Sequence, residues 1–283
     1  MQITVETIDS IREHLQTWRQ SGQSIAFVPT MGNLHDGHLR LVEEAKQHSD
    51  RVVVSIFVNP TQFAEGEDFT RYPRTRQQDL DQLSKHAVDL VFIPDMTEIY
   101  AAPNLTIINV NDISGQLCGE FRPGHFGGVA TVVCKLFNIV QPDVAVFGEK
   151  DYQQLVLIRT MVSDLRMTIN IVGMPTVRAE DGLALSSRNQ YLSEDQRKLA
   201  ALLHETLCQT RDQLMTNTAT DFRQIEEQHM RQLKQAGFRP EYFAIRNADN
   251  LSQPSNRQQE QQLVILVAAW LGQTRLIDNL LVS

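Results

Sequence analysis

Five short apolar runs, at residues 25–28, 52–58, 90–93, 144–147 and 169–172, alternate with stretches patterned as helices. This alternation limits the folds open to the chain. Most of the runs are rich in Val, Ile or Phe and too short for a core helix, as expected of strands buried on both faces. Between them, apolar residues recur at helical spacing: Leu39, Leu41, Val42 and Ala45; Leu80 and Leu83; Val129, Val132, Val133, Leu136 and Phe137; Leu155, Ile158, Val162 and Leu165. Strand alternating with helix predicts an α/β fold, here a Rossmann-like parallel sheet covered on both faces, over residues 1–176. Ligands of such sheets sit beyond the C-terminal strand ends. The residues that follow each run are therefore the first place to seek chemistry.

The pattern changes after residue 176. Ser193-Glu194-Asp195-Gln196 reads as a capping box opening a helix through roughly Leu214. A second helix is expected from near Asp221 to Ala236, stopped by Gly237. Strands are expected at 242–245, 263–268 and 274–277, the last two flanking Gly272 as a hairpin. Residues 177–283 thus read as a smaller C-terminal α+β domain, with the polar stretch 253–262 as an exposed loop.

A chain of 283 residues can bury one large core, or a large and a small one. Its 34 acidic and 26 basic residues give a net charge of -8. That balance argues against an extended nucleic-acid surface but leaves room for a local basic pocket suited to a small polyanion such as ATP. Cys118, Cys134 and Cys208 are widely spaced and match no metal or redox pattern, so reduced thiols in a cytoplasmic protein are expected. No apolar run approaches the ~20 residues of a membrane span. The first residues carry Glu6 early and lack a basic, then apolar, leader.

The first run leads through Pro29, expected to end the strand, to Gly32 and Gly37, with a helix starting near Gly37 or His38. The two glycines have P-loop spacing, but His38-Leu39 stands where Lys-Ser/Thr would be, and no G-x-G-x-x-G is present. His35-Asp36-Gly37-His38 stands there instead. Two such imidazoles can face one ligand and donate ring N–H groups to phosphate oxygens, helped by the free N–H groups of a helix start. Gly37 would let a nucleotide lie against the backbone. A helix cap with incidental histidines is the plainer alternative.

Later strand ends carry further candidates, each with an ordinary structural reading beside it. Asn59 and Gln62, in Asn59-Pro60-Thr61-Gln62-Phe63, are amides suited to hydroxyls and carboxylates, or part of a solvated loop. Arg122-Pro123-Gly124-His125-Phe126-Gly127-Gly128 is a pocket-lining loop or a flexible turn. In Gly148-Glu149-Lys150-Asp151-Tyr152-Gln153-Gln154, Lys150 suits phosphate and Asp151 ribose hydroxyls, and Gln154 lies one helical turn beyond Lys150. The alternative is a charged helix start. Ser186, Ser187 and Arg188 suit a triphosphate or belong to a linker.

The turn resembles the H-x-G-H signature of the nucleotidylyl transferase superfamily, which includes the class I aminoacyl-tRNA synthetases. The longer string Pro29-Thr30-Met31-Gly32-Asn33-Leu34-His35-Asp36-Gly37-His38 resembles the pantoate–β-alanine ligase (pantothenate synthetase) family, and the likeness continues through the four later motifs. It implies that Met31, Gly32, Asn33, Leu34, His35, Asp36, Gly37 and His38 bind ATP, as do Gly148, Glu149, Lys150 and Asp151. Val177, Leu185, Ser186, Ser187 and Arg188 are implied to join them, the last four within Asp181-Gly182-Leu183-Ala184-Leu185-Ser186-Ser187-Arg188-Asn189, which resembles the counterpart of the synthetase K-M-S-K-S loop. Gln62 and Gln154 are implied to bind pantoate, and Gln62 also to lie at the β-alanine position.

The implied reaction is a two-step ligation feeding coenzyme A synthesis. Pantoate attacks the α-phosphorus of ATP to give pantoyl adenylate and pyrophosphate; β-alanine then displaces AMP. His38 is expected to be the central donor, with His35, Lys150 and Arg188 as the other catalytic groups. Mg²⁺ would ride on the triphosphate, since no dedicated carboxylate cage is evident. The loop at 186–188 and the C-terminal domain are placed to close over the reactive adenylate. Members of the family are typically homodimers. Two other readings stay open: a nucleotidylyl transferase acting on another small acid or a phosphorylated acceptor, and a non-catalytic nucleotide-sensing module. A tRNA synthetase is disfavoured by length, by charge and by the lack of an anticodon-type domain.

Overall fold

The computed structural model describes residues 2–64, 66–216, 221–254 and 262–282. Its strands are β1 Ile3–Val5, β2 Ile25–Thr30, β3 Arg51–Ile56, β4 Leu90–Phe92, β5 Val144–Gly148, β6 Asn170–Met174, β7 Arg239–Asn247, β8 Leu263–Leu271 and β9 Thr274–Val282. The helices are α1 Ile8–Gln20, α2 Asp36–His48, α3 Arg76–Lys85, α4 Met96–Ile99, α5 Cys118–Phe121, α6 His125–Val140, α7 Tyr152–Asp164, α8 Glu194–Ala200, α9 Leu202–Thr216 and α10 Phe222–Gln235. Among the described residues, no helix is long and apolar enough to cross a membrane.

Six strands form a parallel sheet in the order β1-β4-β3-β2-β5-β6. From β2 the chain winds outward through β3 to β4, then returns to place β5 on the other side of β2. The switch point therefore lies between β2 and β5, where a crevice opens at the C-terminal strand ends. One face of the sheet packs against α1, α6 and α7, through Ile11, Leu15, Val129, Leu136, Leu155 and Ile158 among others. The other packs against α2 and α3, through Leu39, Val42, Ala45 and Leu83.

β7, β8 and β9 form an antiparallel sheet. Its residues alternate between two cores. Phe243, Ile245, Leu263, Ile265 and Val267 face α9 and α10. Ala244, Val264 and Leu266 join the core of the large sheet. Strand β8 is buried on both faces, which explains its nearly unbroken apolar sequence.

Both sheets were legible in the sequence, with corrections at element ends. Pro29 does not end β2: it pairs opposite Ser55, and Thr30 opposite Ile56. On the other side β5 pairs only with Ala26 and Phe27, so that ladder has ended before the residue that lacks an N–H. β3 stops at Ile56, before Phe57 and Val58. β1 is too short to show a pattern; α1 was not among the expected elements, although Ile8, Ile11, Leu15 and Trp18 recur on one helical face behind the Thr7 cap. The helix expected from 194 to 214 is two, divided at Ala201, whose φ of -61° and ψ of -23° have the tighter 3₁₀ geometry. The Ser193–Gln196 capping box is present, and Asp221 caps α10. Most of the polar stretch 253–262 lies outside the described residues.

Candidate active site

A cavity of about 240 Å³ opens at the switch point. The turn between β2 and α2 forms one wall. Gly32 has φ +77° and Asn33 φ +50°. The buried Asp79 of α3 holds this turn: its carboxylate accepts from Asn33 N at 3.0 Å and from Leu34 N at 2.8 Å. Gly32, Asn33, Leu34 and Asp36 thus shape the turn without lining the cavity, whereas Met31, His35, Gly37 and His38 line it. The one sequence signal for Asp79 was an acid four residues before Leu83, on a face that should be apolar.

The helix starts at Asp36, slightly earlier than expected, because His35 is its N-cap. Nδ1 of His35 accepts from Gly37 N at 3.1 Å, and Nδ1 of His38 accepts from His35 N at 3.3 Å. A nitrogen that accepts carries no proton, so the proton of each neutral ring is assigned to Nε2. Burial, followed by the charge of Lys150, lowers the pKa of His35 to about 4. Burial, followed by His35 and Lys150, lowers that of His38 to about 3. Near neutral pH both rings are therefore uncharged N–H donors. The two histidines do cap the helix, and the cap sets the tautomers, leaving Nε2 as the protonated nitrogen of each ring. The demand for glycine at 37 comes from His35, whose ring would lie 2.8 Å from an added Cβ.

The amide wall is built on the 3₁₀ turn Pro60–Gln62. Asn59 is buried and fully engaged. It donates to Gln62 Oε1 and Gly128 O, and accepts from Tyr100 Oη and Thr61 Oγ1. Among the described residues, the Nε2 of Gln62 meets only the thioether of Met31, at 3.0 Å, a weak acceptor that a ligand oxygen can replace. The Gln62 carbonyl accepts from His125 Nδ1 at 2.7 Å, so His125 carries its proton on Nδ1, the opposite tautomer to His35 and His38. Burial, then the charge of Arg122, lowers the pKa of His125 to about 4. Gly128 lets α6 approach this turn: an added Cβ would overlap the Thr61 carbonyl. The segment from Arg122 to Gly128 is therefore a fixed wall, although residue types alone assigned no role within it.

The third wall is the 3₁₀ turn Glu149–Asp151, after β5. Lys150 lines the cavity and stands 4.0 Å from Asp151 Oδ2, too far for a hydrogen bond. Asn279 of β9 holds this turn by donating to the carbonyls of Glu149 and Lys150, each at 2.8 Å. Nothing in the sequence ties residue 279 to residue 150. Gly148, Asp151 and Gln154 line the cavity and Glu149 does not. Gln153 turns away to hold Cys118 N and the carbonyls of Ile113 and Gln116.

Val177, Leu185, Ser186, Ser187 and Arg188 close the mouth. Leu185 N donates to Val177 O at 2.9 Å, and Ser187 Oγ donates to Asn33 O at 3.1 Å, joining this segment to the first turn. Arg188 makes two bonds to Asp68 and lies over the Tyr72 ring. Asp68 and Tyr72 had carried no sequence signal. Among the described residues, no group of three or more His, Cys, Asp or Glu side chains is placed to hold a metal ion.

The family model for pantoate–β-alanine ligase matches residues 3–281. Pantothenate synthetase from Methylococcus capsulatus is 51% identical over 281 residues, covering 99% of this chain and 97% of that protein. The crystal structure of pantothenate synthetase from Thermus thermophilus superposes with a TM-score of 0.90 at 43% identity, covering 98% of each chain. That of pantoate–β-alanine ligase from Francisella tularensis, complexed with β,γ-ATP and β-alanine, has a TM-score of 0.82 at 35% identity. It covers 99% of this chain and 98% of that one.

Proposed function

The chain belongs to the pantoate–β-alanine ligase family, and from that membership we propose that it makes pantothenate from pantoate, β-alanine and ATP through a pantoyl adenylate, releasing AMP and pyrophosphate. The observation that carries the reading is the composition of the cavity at the switch point. Uncharged imidazole donors, Lys150 and the amides of Gln62 and Gln154 line one cavity. Amides without a dedicated cluster of arginines at the acid end suit a small hydroxy acid better than a phosphorylated acceptor.

In the first step an anionic carboxylate approaches the α-phosphate. His35 and His38 would offer Nε2–H there without bringing protons that could be lost, and Lys150 would offset the charge that builds on departing pyrophosphate. Ser186, Ser187 and Arg188 would hold the β- and γ-phosphates, with the backbones of Gly148 and Val177 beside the nucleoside. Mg²⁺ belongs to this scheme as part of the nucleotide substrate, held by phosphate oxygens and neutralising their charge. Gln62 and Gln154 would hold the pantoate hydroxyls and carboxylate, and Gln62 would face the incoming amine.

Residues 1–176 then form the nucleotide- and pantoate-binding unit and residues 177–283 its cover, which keeps water from the adenylate. A cytoplasmic homodimer serving coenzyme A synthesis completes the reading. Leu105 and Ile107, 85% and 75% exposed outside any strand, provide apolar surface for a second copy. The decisive experiment is pyrophosphate release from ATP with pantoate, with and without β-alanine. Release that needs pantoate but not β-alanine is expected; release independent of pantoate would overturn the assignment.

A further inference from the structure

Two adjacent acids, Glu67 and Asp68, each take one arginine of the cavity wall. Glu67 accepts from Arg122 Nε and Nη2 at 2.6 and 2.7 Å. Arg122 in turn reaches His125 Nε2 and the Gln62 carbonyl, so this pair serves the amide wall. Asp68 accepts from Arg188 Nε at 3.0 Å and from Nη2 at 2.9 Å. The grip is therefore along one edge of the guanidinium, and Nη1 has no hydrogen-bond partner among the described residues. Arg188 lines both the central cavity and a neighbouring cleft of about 430 Å³. The Arg188 Cζ also lies over the Tyr72 ring, 5.8 Å from its centroid.

A planar cation held by two parallel bonds has one orientation, whereas a lone arginine on a loop has many. The Asp68 side chain is 17% exposed and that of Arg188 is 28% exposed, so the pair is shielded enough to stay formed. We infer that Asp68 is a positioning residue for the nucleotide half of the reaction, fixing the Arg188 guanidinium so that its Nη1 edge meets an oxygen of the triphosphate. Asp68 acts through Arg188 and touches no substrate. The inference rests on the cavity being the ATP site.

The test uses the full chain with Asp68→Asn and Asp68→Glu. It measures calorimetric Kd for a non-hydrolysable ATP analogue, KM for each substrate and thermal unfolding. Asp68→Asn should raise the analogue Kd and the KM for ATP about tenfold, as expected for loss of one oriented charge-assisted contact. It should leave the KM for β-alanine within about twofold and the unfolding temperature nearly unchanged, and Asp68→Glu should recover most of the affinity. Unchanged or tighter analogue binding in Asp68→Asn would overturn the inference, the latter by showing Asp68 to be a competing anion. A uniform loss for all substrates with a lowered unfolding temperature would overturn it in favour of a structural role. If pantoate fails to support pyrophosphate release while Asp68→Asn still weakens analogue binding, the substrate assignment falls and the positioning role stands.

Discussion

Nδ1 of His38 accepts the backbone N–H of His35, and the two rings lie 4.1 Å apart between centroids. Each ring is thereby held as an uncharged donor beside Lys150. Imidazoliums at this separation would repel one another, and the lowered pKa values of about 4 and about 3 reflect chiefly their burial.

The pH behaviour follows with a definite sign. A histidine whose folded pKa lies below its unfolded value of about 6.5 binds fewer protons when folded, so stability rises with pH across the gap. Folding stability should therefore be undiminished by these rings above pH ~6.5 and fall progressively as the pH drops through about 4 for His35 and about 3 for His38. Imidazole ¹⁵N chemical shifts should report Nε2–H for His35 and His38, Nδ1–H for His125, and no titration of the first two above pH ~5. A midpoint near 6.5 for either ring would refute the neutral-donor reading.

Removing a donor aimed at developing charge should cost turnover more than binding. His38→Ala and Lys150→Ala should each lower kcat by roughly 10²–10³-fold, the range seen for loss of one preorganised donor. Stopped-flow release of pyrophosphate would separate this step from attack by β-alanine. Unchanged turnover in both variants would sink the mechanism while leaving nucleotide binding possible.

Asp79→Asn tests the scaffold of the same turn. The two carboxylate oxygens each accept one N–H, so an amide can present its one oxygen to Asn33 N or to Leu34 N but must point its NH₂ at the other, leaving buried donors facing one another. A loss of about 1–3 kcal/mol in urea unfolding is expected, with weaker nucleotide binding. Equal midpoints for the variant and the parent would show that the turn holds itself.

Gly128→Ala should act on the opposite wall. Its Cβ would overlap a backbone carbonyl, which has no flexible end to swing aside, so the Pro60–Gln62 turn must move. A displacement of that kind at a positioning amide should raise the KM for pantoate by about tenfold or more while leaving the Kd for ATP analogues nearly unchanged. Equal effects on both ligands would show the change to be global.

Elements with strong periodicity were readable from the sequence: the strands at 25–28 and 144–147, the capping box at Ser193, and the hairpin around Gly272. The candidate cavity residues on strand-end turns could also be found, because glycines, histidines and a lysine there stand out against apolar neighbours. What stayed hidden were the groups that hold them. Asp79, Asp68 and Asn279 act across the fold, through partners at 33, 188 and 150, and hydrogen bonds between residues so far apart leave little trace in local composition. β1 was hidden for a different reason: three residues are too few to show alternation.

The two hydrogen bonds from Asn279 also limit how the site can open. They tether the last strand of the chain to the backbone that carries Lys150, so the small sheet cannot swing away as one piece while that lysine keeps its place. A chain truncated before β9 would thus retain every side chain lining the cavity yet lose the anchor that aims its lysine.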